Sequence, residues 1–405
     1  MLKERRIVLG VTGGIAAYKA AELVRELVRR EAQVRVIMTD HAREFIAPLT
    51  FETLSGNPVA GGLFRLNGRF EIDHIALAQF AELVVIAPAT ANVIGKMTAG
   101  IADDLLTTVL VAATAPTLIC PAMNDKMYAN PVVKENLARL VARGHTVLEP
   151  GYGELACRTE GQGRLPDALE IAEEIEAILT EKDLCDERIL VTAGPTQEPF
   201  DPVRFISNYS SGKMGYALAQ MARRRGAEVI LISGPVPLPL PRRDIKFVSV
   251  RSAEEMEKAV FANLKGSSVV IMAAAVSDYR PKVISKRKIK KGDSDTSLAL
   301  ERTDDILRKL GKRKGNRILV GFAAETEDLI ANAQKKLKGK NLDLIVANDV
   351  TKPGAGFASD TNQVKILYPS GKVKDHPLMS KAEVSRFILD DVLSLLRRKK
   401  RSKTN

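Results

Sequence analysis

Apolar positions in this chain form two successive series, each made of short hydrophobic runs separated by longer amphipathic stretches. In the first half, RIVLGVT, QVRVIMT, LVVIAPA, PTLICPAM and HTVLEP are β-branched and aliphatic runs, the pattern of strands buried on both faces. Between them, AAYKAAELVRELVRR and NPVVKENLARLVARG space their apolar residues three and four apart, as helices with one buried face do. PDALEIAEEIEAILTEK, with Pro166 near its start, predicts a further helix. The charged stretch EKDLCDER then resets the pattern. A second series follows, with ILVTAGPT, EVILISGP, SVVIMAAA, RILVGFAAE and LDLIVAND as strands. SGKMGYALAQMARRRG, SAEEMEKAVFANLKG and a stretch ending at Lys340 read as the helices between them, and KAEVSRFILDDVLSLLRR as a closing helix.

Strand–helix alternation of this kind predicts parallel sheets covered on both faces. The expected fold class is therefore α/β, with two doubly wound Rossmann-like domains, each binding at the carboxyl edge of its sheet. The boundary is expected near 183–187, giving domains 1–185 and 186–405. Both halves open with strand, glycine turn and helix, yet they are not close repeats. At 405 residues the chain is long enough for each half to bury its own core.

Composition adds few constraints. Hydrophobic residues at 45% and charged residues at 27% are the balance of a globular protein, and no run approaches a membrane span. The start MLKERRIVLGVTGG passes straight into a strand without a signal-peptide pattern, so the expected location is the cytoplasm. Lysine and arginine exceed acidic residues by 61 − 49 = 12. The excess is concentrated in KRKIKKG at 286–292, KKLKGK at 335–340 and the tail RRKKRSK at 397–403. The tail reads as a solvated helix end. The interior clusters lie beside loops where phosphorylated small molecules could bind, which accounts for the charge at least as well as nucleic acid does. Three cysteines, at 120, 157 and 185, have neither metal-ligand spacing nor a disulfide framework. Cys120 lies in an apolar run and reads as core, and Cys185 in a charged hinge. Cys157 lies in GYGELACRTEGQGR, which is glycine-rich and resembles neither helix nor strand.

Candidate chemistry in the first half gathers at strand ends. VTGGIAAYK, with Gly13, Gly14 and Ile15, permits a tight turn whose free amides favour a phosphate. Thr39 ends the second strand, and APATANVIGK offers Thr90 and Asn92 beside small Ala91. Each loop taken singly is more readily structural, Thr90 and Asn92 being common helix caps. His74 in EIDHIALAQ can equally be a core histidine, Asn124 in PAMNDKMY a cap, and Cys157 an inert loop thiol. In combination, GGIAAYK, this histidine, PAMNDKM and ACRTEGQGR resemble the flavin-containing cysteine decarboxylases, specifically phosphopantothenoylcysteine decarboxylase. The resemblance spans the whole first half. It implies a flavodoxin-like FMN domain that oxidises the substrate's cysteine thiol to a thioaldehyde, so that the carboxylate leaves as carbon dioxide. It assigns His74 to the oxidative and decarboxylating steps, Asn124 and Met123 to the carboxylate pocket, and Cys157 to the closing proton transfer.

In the second half, TAGPTQEPFDPVRFISNYSSGKMG carries Arg204, Asn208 and a serine–glycine turn before a helix. On its own it supports an anion-binding loop, or a structured loop with a serine cap. It closely resembles the signature of phosphopantothenate–cysteine ligase, DPVRxIxNxSSGxMG. AAAVSDYRP with Ala273, Ala274 and Asp278, KRKIKK with Lys288, and GFAAET with Phe322 agree with that family. The family's Asn-Pro-Asp-Ile is replaced by Arg-Thr-Asp-Asp-Ile, which includes Asp304, Asp305 and Ile306 and precedes Leu307. The resemblance implies attack of the 4′-phosphopantothenate carboxylate on CTP, then amide formation with cysteine, with Mg2+ offsetting the triphosphate charge. Phe322 would pack on the base, Lys336 and Lys340 would reach the phosphates, Lys288 would bind phosphate, and Arg204 and Asn208 would assist the acyl-nucleotide chemistry. Metal ligands are left unassigned. The two families together imply a homo-oligomer with trimeric and dimeric contacts, hence a dodecamer, acting on small molecules and on neither nucleic acid nor membrane. A peptide-cysteine decarboxylase would leave the second half unexplained. A regulatory flavin protein would not need His74, Asn124 and Cys157 together.

Overall fold

The computed structural model describes residues 2–62, 73–240, 244–290, 297–325, 327–349, 356 and 359–404. The chain divides into two compact units, Met1–Thr180 and Glu181–Asn405. In the first, β1 (Arg6–Val11), β2 (Gln33–Met38), β3 (Leu83–Ala89), β4 (Thr117–Pro121) and β5 (Thr146–Val147) form a parallel sheet in the order β2-β1-β3-β4-β5. Both faces are buried, and the two-residue side-chain period sorts them. Ile7, Leu9 and Val11 enter one core with Leu23 and Leu27 of the helix Lys19–Arg29 and Ile171 and Ile175 of Ala168–Leu179. Val8, Val84 and Ile86 enter the other, against Leu106 and Val109 of Leu105–Ala112. Cys120 is in the first core, where burial raises its thiol pKa. Of HTVLEP, only Thr146 and Val147 join the sheet.

The glycine-rich segment departs from its sequence reading. It is an antiparallel hairpin of β6 (Gly151–Glu154) and β7 (Glu160–Arg164). Glycines at alternate strand positions conceal it, since strand patterns are usually recognised by β-branched residues. Those glycines allow a close approach. A Cβ on Gly163 would stand 2.1 Å from the Met123 carbonyl oxygen, and one on Gly161 would stand 2.5 Å from Asp125 Cβ. The Met123 N–H donates to the Gly163 carbonyl at 3.0 Å, tying the hairpin to the end of β4.

The second unit contains β8 (Arg188–Ala193), β9 (Gln197–Pro199), β10 (Phe205–Ser207), β11 (Glu228–Ser233), β12 (Lys246–Ser249), β13 (Val269–Met272), β14 (Tyr279–Pro281), β15 (Leu300–Arg302), β16 (Ile318–Glu325), β17 (Leu344–Asp349), β18 (Thr361–Leu367) and β19 (Val373–Ser380). Its main sheet runs β12-β11-β8-β13-β16-β17-β18-β19, with β18 and β19 antiparallel and the other neighbours parallel. The six parallel strands follow the order of a dinucleotide-binding fold, third-second-first-fourth-fifth-sixth. The antiparallel pair extends that frame and was not anticipated from sequence. Val364 and Ile366 of β18 are buried against Ile388 and Val392 of the final helix, Lys381–Thr404.

Leu184 is fully buried in the second unit's core, so the structural break falls a few residues ahead of the boundary read from charge. Arg225, itself buried, pairs with Asp183 at 2.7 Å and with Asp390 at 2.7 Å, clamping this opening segment to the closing helix. Nor is the basic tail wholly solvated. Lys399 lies 3.2 Å from Asp343 and Lys400 2.8 Å from buried Glu187. Among the described residues no helix is long and apolar enough to cross a membrane.

Candidate functional sites

In a β2-β1-β3 sheet the chain leaves β1 and β3 in opposite directions, which opens a crevice at their carboxyl ends. Thr12, 1% exposed, holds the two loops together there. Its hydroxyl donates to the Pro88 carbonyl at 2.7 Å and accepts from the Thr90 N–H at 3.2 Å. A cavity of about 620 Å3 opens at this point, inside the range of roughly 300–1,000 Å3 usual for small-ligand pockets. Gly13, Gly14, Ile15, Thr90, Ala91, Met123, Asn124 and Cys157 all line it. Gly14 precedes the short 3-10 helix Ile15–Tyr18, and Thr90 caps the helix Ala91–Ala99, so two helix starts present amides to the space. Pro88, Ala122 and Leu165 add apolar walls. Anion-accepting amides beside an apolar slot suit a phosphorylated aromatic cofactor.

Asn124 and Cys157 come from different elements. Asn124 caps the helix Asp125–Ala129 through its side-chain oxygen, which accepts from Lys126 N–H at 2.9 Å. That leaves its amide nitrogen to donate to Cys157 Sγ at 3.2 Å. The thiol also meets the Thr159 hydroxyl at 3.0 Å. Hydrogen bonds from the Thr159 side chain first, then from its backbone and from Asn124, hold the Cys157 pKa below its ordinary value. Thr159 was missed from sequence, although it stands two residues from the thiol in the same segment. The hairpin end is tightened by Leu155 N–H to Thr159 O at 2.9 Å and by Arg158, whose φ is +62°. Three expected residues lie outside the cavity lining. Thr39 precedes the helix Asp40–Arg43, Asn92 is exposed on its helix, and half-buried His74 sits on the helix Asp73–Phe80.

The second unit opens at its own crossing, between β8 and β13. The Ala275 N–H donates to Gly194 O at 2.9 Å, and the buried Thr192 hydroxyl accepts from Ala274 N–H at 3.2 Å. Around the loop after β13 lies a cavity of about 520 Å3. Asn208, Ala273, Ala274, Asp278, Asp304, Asp305, Ile306, Leu307, Phe322, Lys336 and Lys340 line it. Asn208 donates to Ala275 O at 3.1 Å, fixing the signature loop against the β13 loop. Asp305 caps the helix Ile306–Lys312 and lies 2.9 Å from Lys340. Burial pushes the Asp305 carboxyl up, but the Arg308 amide and Lys340 outweigh it and leave the pKa below the usual range.

Arg204 and Lys288 are not among the lining residues. The Arg204 guanidinium grips the buried Asp201 carboxylate at 2.6 and 3.0 Å and donates to Ile289 O at 2.8 Å. Asp201 also accepts from the Val203, Arg204 and Ile289 amides, and with Arg204 these hold its pKa far below the carboxylate range. Exposed Lys288 adjoins this brace. Lys291 and Gly292 of the basic run, and Thr326 of GFAAET, lie outside the described residues. Sequence reading also missed Lys213, Asn362 and Lys381 in the cavity wall. Lys213 was visible inside the signature, whereas the other two come from the unanticipated hairpin and the start of the final helix.

Two doubly wound units, one with a thiol beside its cavity and one with a lysine-rich crevice, match the models of a flavoprotein domain fused to a second enzymatic domain. The flavoprotein family model matches residues 1–180, and the model for the DNA/pantothenate metabolism flavoprotein C-terminal domain matches 184–396. The coenzyme A biosynthesis bifunctional protein CoaBC of Bacillus subtilis is 50% identical over 398 residues, 98% of either chain. Its counterpart in Escherichia coli is 44% identical over 399 residues, covering 97% of this chain and 98% of its own. Among solved structures, the C-terminal domain of a CoaBC is 44% identical with a TM-score of 0.47, covering 54% of this chain and all of its own. The FMN-dependent cysteine decarboxylase SpaF is 32% identical with a TM-score of 0.38, covering 42% of this chain and 97% of its own. The chain belongs to the CoaBC family of bifunctional coenzyme A biosynthesis proteins. It is a bifunctional enzyme, with a flavoprotein decarboxylase domain and a ligase domain.

Proposed function

We propose that the second unit joins cysteine to 4′-phosphopantothenate at the expense of CTP, and that the first decarboxylates the product to 4′-phosphopantetheine with FMN. The decarboxylase reading is carried by the contact between Asn124 and Cys157, which brings two residues 33 positions apart together in the wall of the β1/β3 cavity. FMN, when bound, would supply the oxidation that makes the carboxylate labile and the later return of the electrons. Gly13, Gly14, Ile15, Thr90 and Ala91 are the residues that would hold it. Asn124 would turn its amide donor toward the substrate carboxylate, with Met123 shaping that pocket. Cys157 would then deliver the closing proton, since a thiol with a reference pKa of about 8.5 is protonated enough near neutrality to donate. Hydrogen bonds from Thr159 and Asn124 hold that pKa below its ordinary value.

In the ligase reaction the acid carboxylate attacks the α-phosphate of CTP and pyrophosphate leaves. The amine of cysteine then displaces CMP from the acyl-nucleotide. Asn208 would hold the acyl-nucleotide, Phe322 would meet the base, and Lys336 and Lys340 would meet the phosphates. Arg204 would act in the second step and Lys288 would bind phosphate, both from the braced segment beside the cavity. Among the described residues no group of three or more His, Cys, Asp or Glu side chains is placed to cage a metal ion. Magnesium would arrive with the triphosphate and offset its charge, as it does in much phosphoryl chemistry. A cytoplasmic homo-oligomer with trimeric contacts through the first unit completes the reading. His74, half-buried on the helix Asp73–Phe80, would act in the oxidative and decarboxylating steps.

Purified protein should be yellow. Given phosphopantothenate, cysteine, CTP and magnesium, it should release carbon dioxide and accumulate 4′-phosphopantetheine. A colourless protein inert to this mixture would overturn the reading.

A further inference from the structure

Lys381 is a lysine in an unfavourable place. It is only 7% exposed, yet it carries an ammonium group, which burial penalises. It is the first residue of the helix Lys381–Thr404, the end at which a helix dipole opposes positive charge. Lys213 is a second cation close enough to act on it. Burial first, then Lys213, draw the Lys381 pKa below its ordinary value, with Asp360 acting in the opposite sense.

The local partners offset only part of this. The Lys381 ammonium has three N–H donors, and it donates to the Ser359 carbonyl. The Asp360 carboxylate lies 2.6 Å from Lys213, and its side chain is 88% exposed to water, which screens it. Lys381, Lys213 and Asn362, the last only 4% exposed, all line the 520 Å3 ligase cavity. Lys213 enters from within the signature, at the start of the helix Lys213–Arg224, and Lys381 enters from the far end of the chain. Lys340, in the same cavity, has its charge matched by Asp305 at 2.9 Å. Local rules broken at a cavity wall, with the Ser359 carbonyl and a water-screened Asp360 as the partial return, are the mark of a group arranged for a ligand.

We propose that Lys381 and Lys213 form an anion subsite in the ligase cavity that takes a phosphate group of a substrate, an inference that rests on the ligase reading above. An incoming phosphate replaces repulsion between two lysines with two charge-assisted hydrogen bonds, one of them to the buried Lys381. Two sources share this chemistry: the phosphate monoester of the acid substrate and the triphosphate of the nucleotide.

Full-length Lys381→Met and Lys381→Arg chains separate the possibilities. Ligation is followed while each substrate is varied in turn, and titration calorimetry with CTP and with phosphopantothenate reads binding independently of turnover. Decarboxylation of supplied phosphopantothenoylcysteine by the same chain is the internal control. Lys381→Met should raise KM and Kd for one phosphorylated substrate about tenfold or more, and Lys381→Arg should recover part of the loss. The affected substrate names the source of the phosphate, and the KM for cysteine should hold within about twofold. Lys213→Met should repeat the effect more weakly, and it serves if the methionine at 381 prevents folding. Binding of both phosphorylated ligands unchanged in Lys381→Met and Lys213→Met would overturn the subsite. A wild-type chain that binds both ligands but ligates nothing would instead overturn the ligase reading, and the subsite would still be judged by calorimetry.

Discussion

The two cavities occupy the same kind of place, the carboxyl edge of a parallel sheet where the strand order reverses, but they are furnished differently. The first is walled largely by glycines, alanines, Pro88 and Leu165, with Lys19, Glu154 and Arg164 as its charged residues, and a hairpin that carries a hydrogen-bonded thiol forms part of it. The second is bounded by Lys213, Lys336, Lys340 and Lys381 together with Asp278, Asp304 and Asp305. A flat cofactor that stores electrons needs an apolar slot and a timed proton. An activated triphosphate needs countercharge and donors aimed at its oxygens. One frame thus serves two chemistries because strand order supplies the crevice, while the loops supply the reactive groups.

Substitutions that silence one cavity and spare the other test this contrast. Cys157→Ser should have the largest effect. A serine hydroxyl is far too weak an acid for the closing proton transfer, so phosphopantetheine formation should fall about 100-fold or more while ligation is unchanged. Product analysis on the same preparation checks both, and loss of ligation would break the assigned division. Asn208→Asp should be smaller and opposite in location. It replaces a donor to the Ala275 carbonyl with an acceptor and adds negative charge where the acyl-nucleotide is proposed to sit. Ligase kcat/KM should drop about tenfold or more with decarboxylation intact.

Thr159→Val should have the smallest effect, and it sharpens the account of the thiol. The Thr159 hydroxyl is the foremost group lowering the Cys157 pKa, so removing it raises that pKa. A proton donor is lost as pH rises through its pKa, so the alkaline fall of the decarboxylase profile should move to higher pH. Alkylation of Cys157 measured against pH should move the same way. An acid-ward move of either curve would contradict the hydrogen-bond account.

Much of this contrast is legible in the sequence, for physical reasons that differ by region. Strands buried on both faces announce themselves, as IVLGV and LVVIAPA do, because both side-chain periods are apolar. Loops that carry chemistry are legible where several residue types coincide, as in the signature around Asn208. The hairpin around Cys157 was hidden because its strands are half glycine, and glycine was needed for contact with Met123 and Asp125. The strand pair β18 and β19 was hidden by its position at a sheet edge, where Lys365, Asp375 and other polar residues interrupt the pattern. Lys381 was invisible for a third reason. Nothing local marks a lysine as buried, and only the fold places it beside Lys213.

The brace around Asp201 bears on how relatives of this chain should be read. Arg204 sits in the most recognisable stretch of the ligase half, yet its Nε and one terminal nitrogen are committed to Asp201 and Ile289. Selection to keep the 285–290 strap in place would preserve this arginine even in a descendant that had lost ligation altogether. Its persistence in a sequence therefore records architecture as well as the role proposed for it, and the surviving chemistry of a degenerate homologue is better judged from the residues that line the cavity.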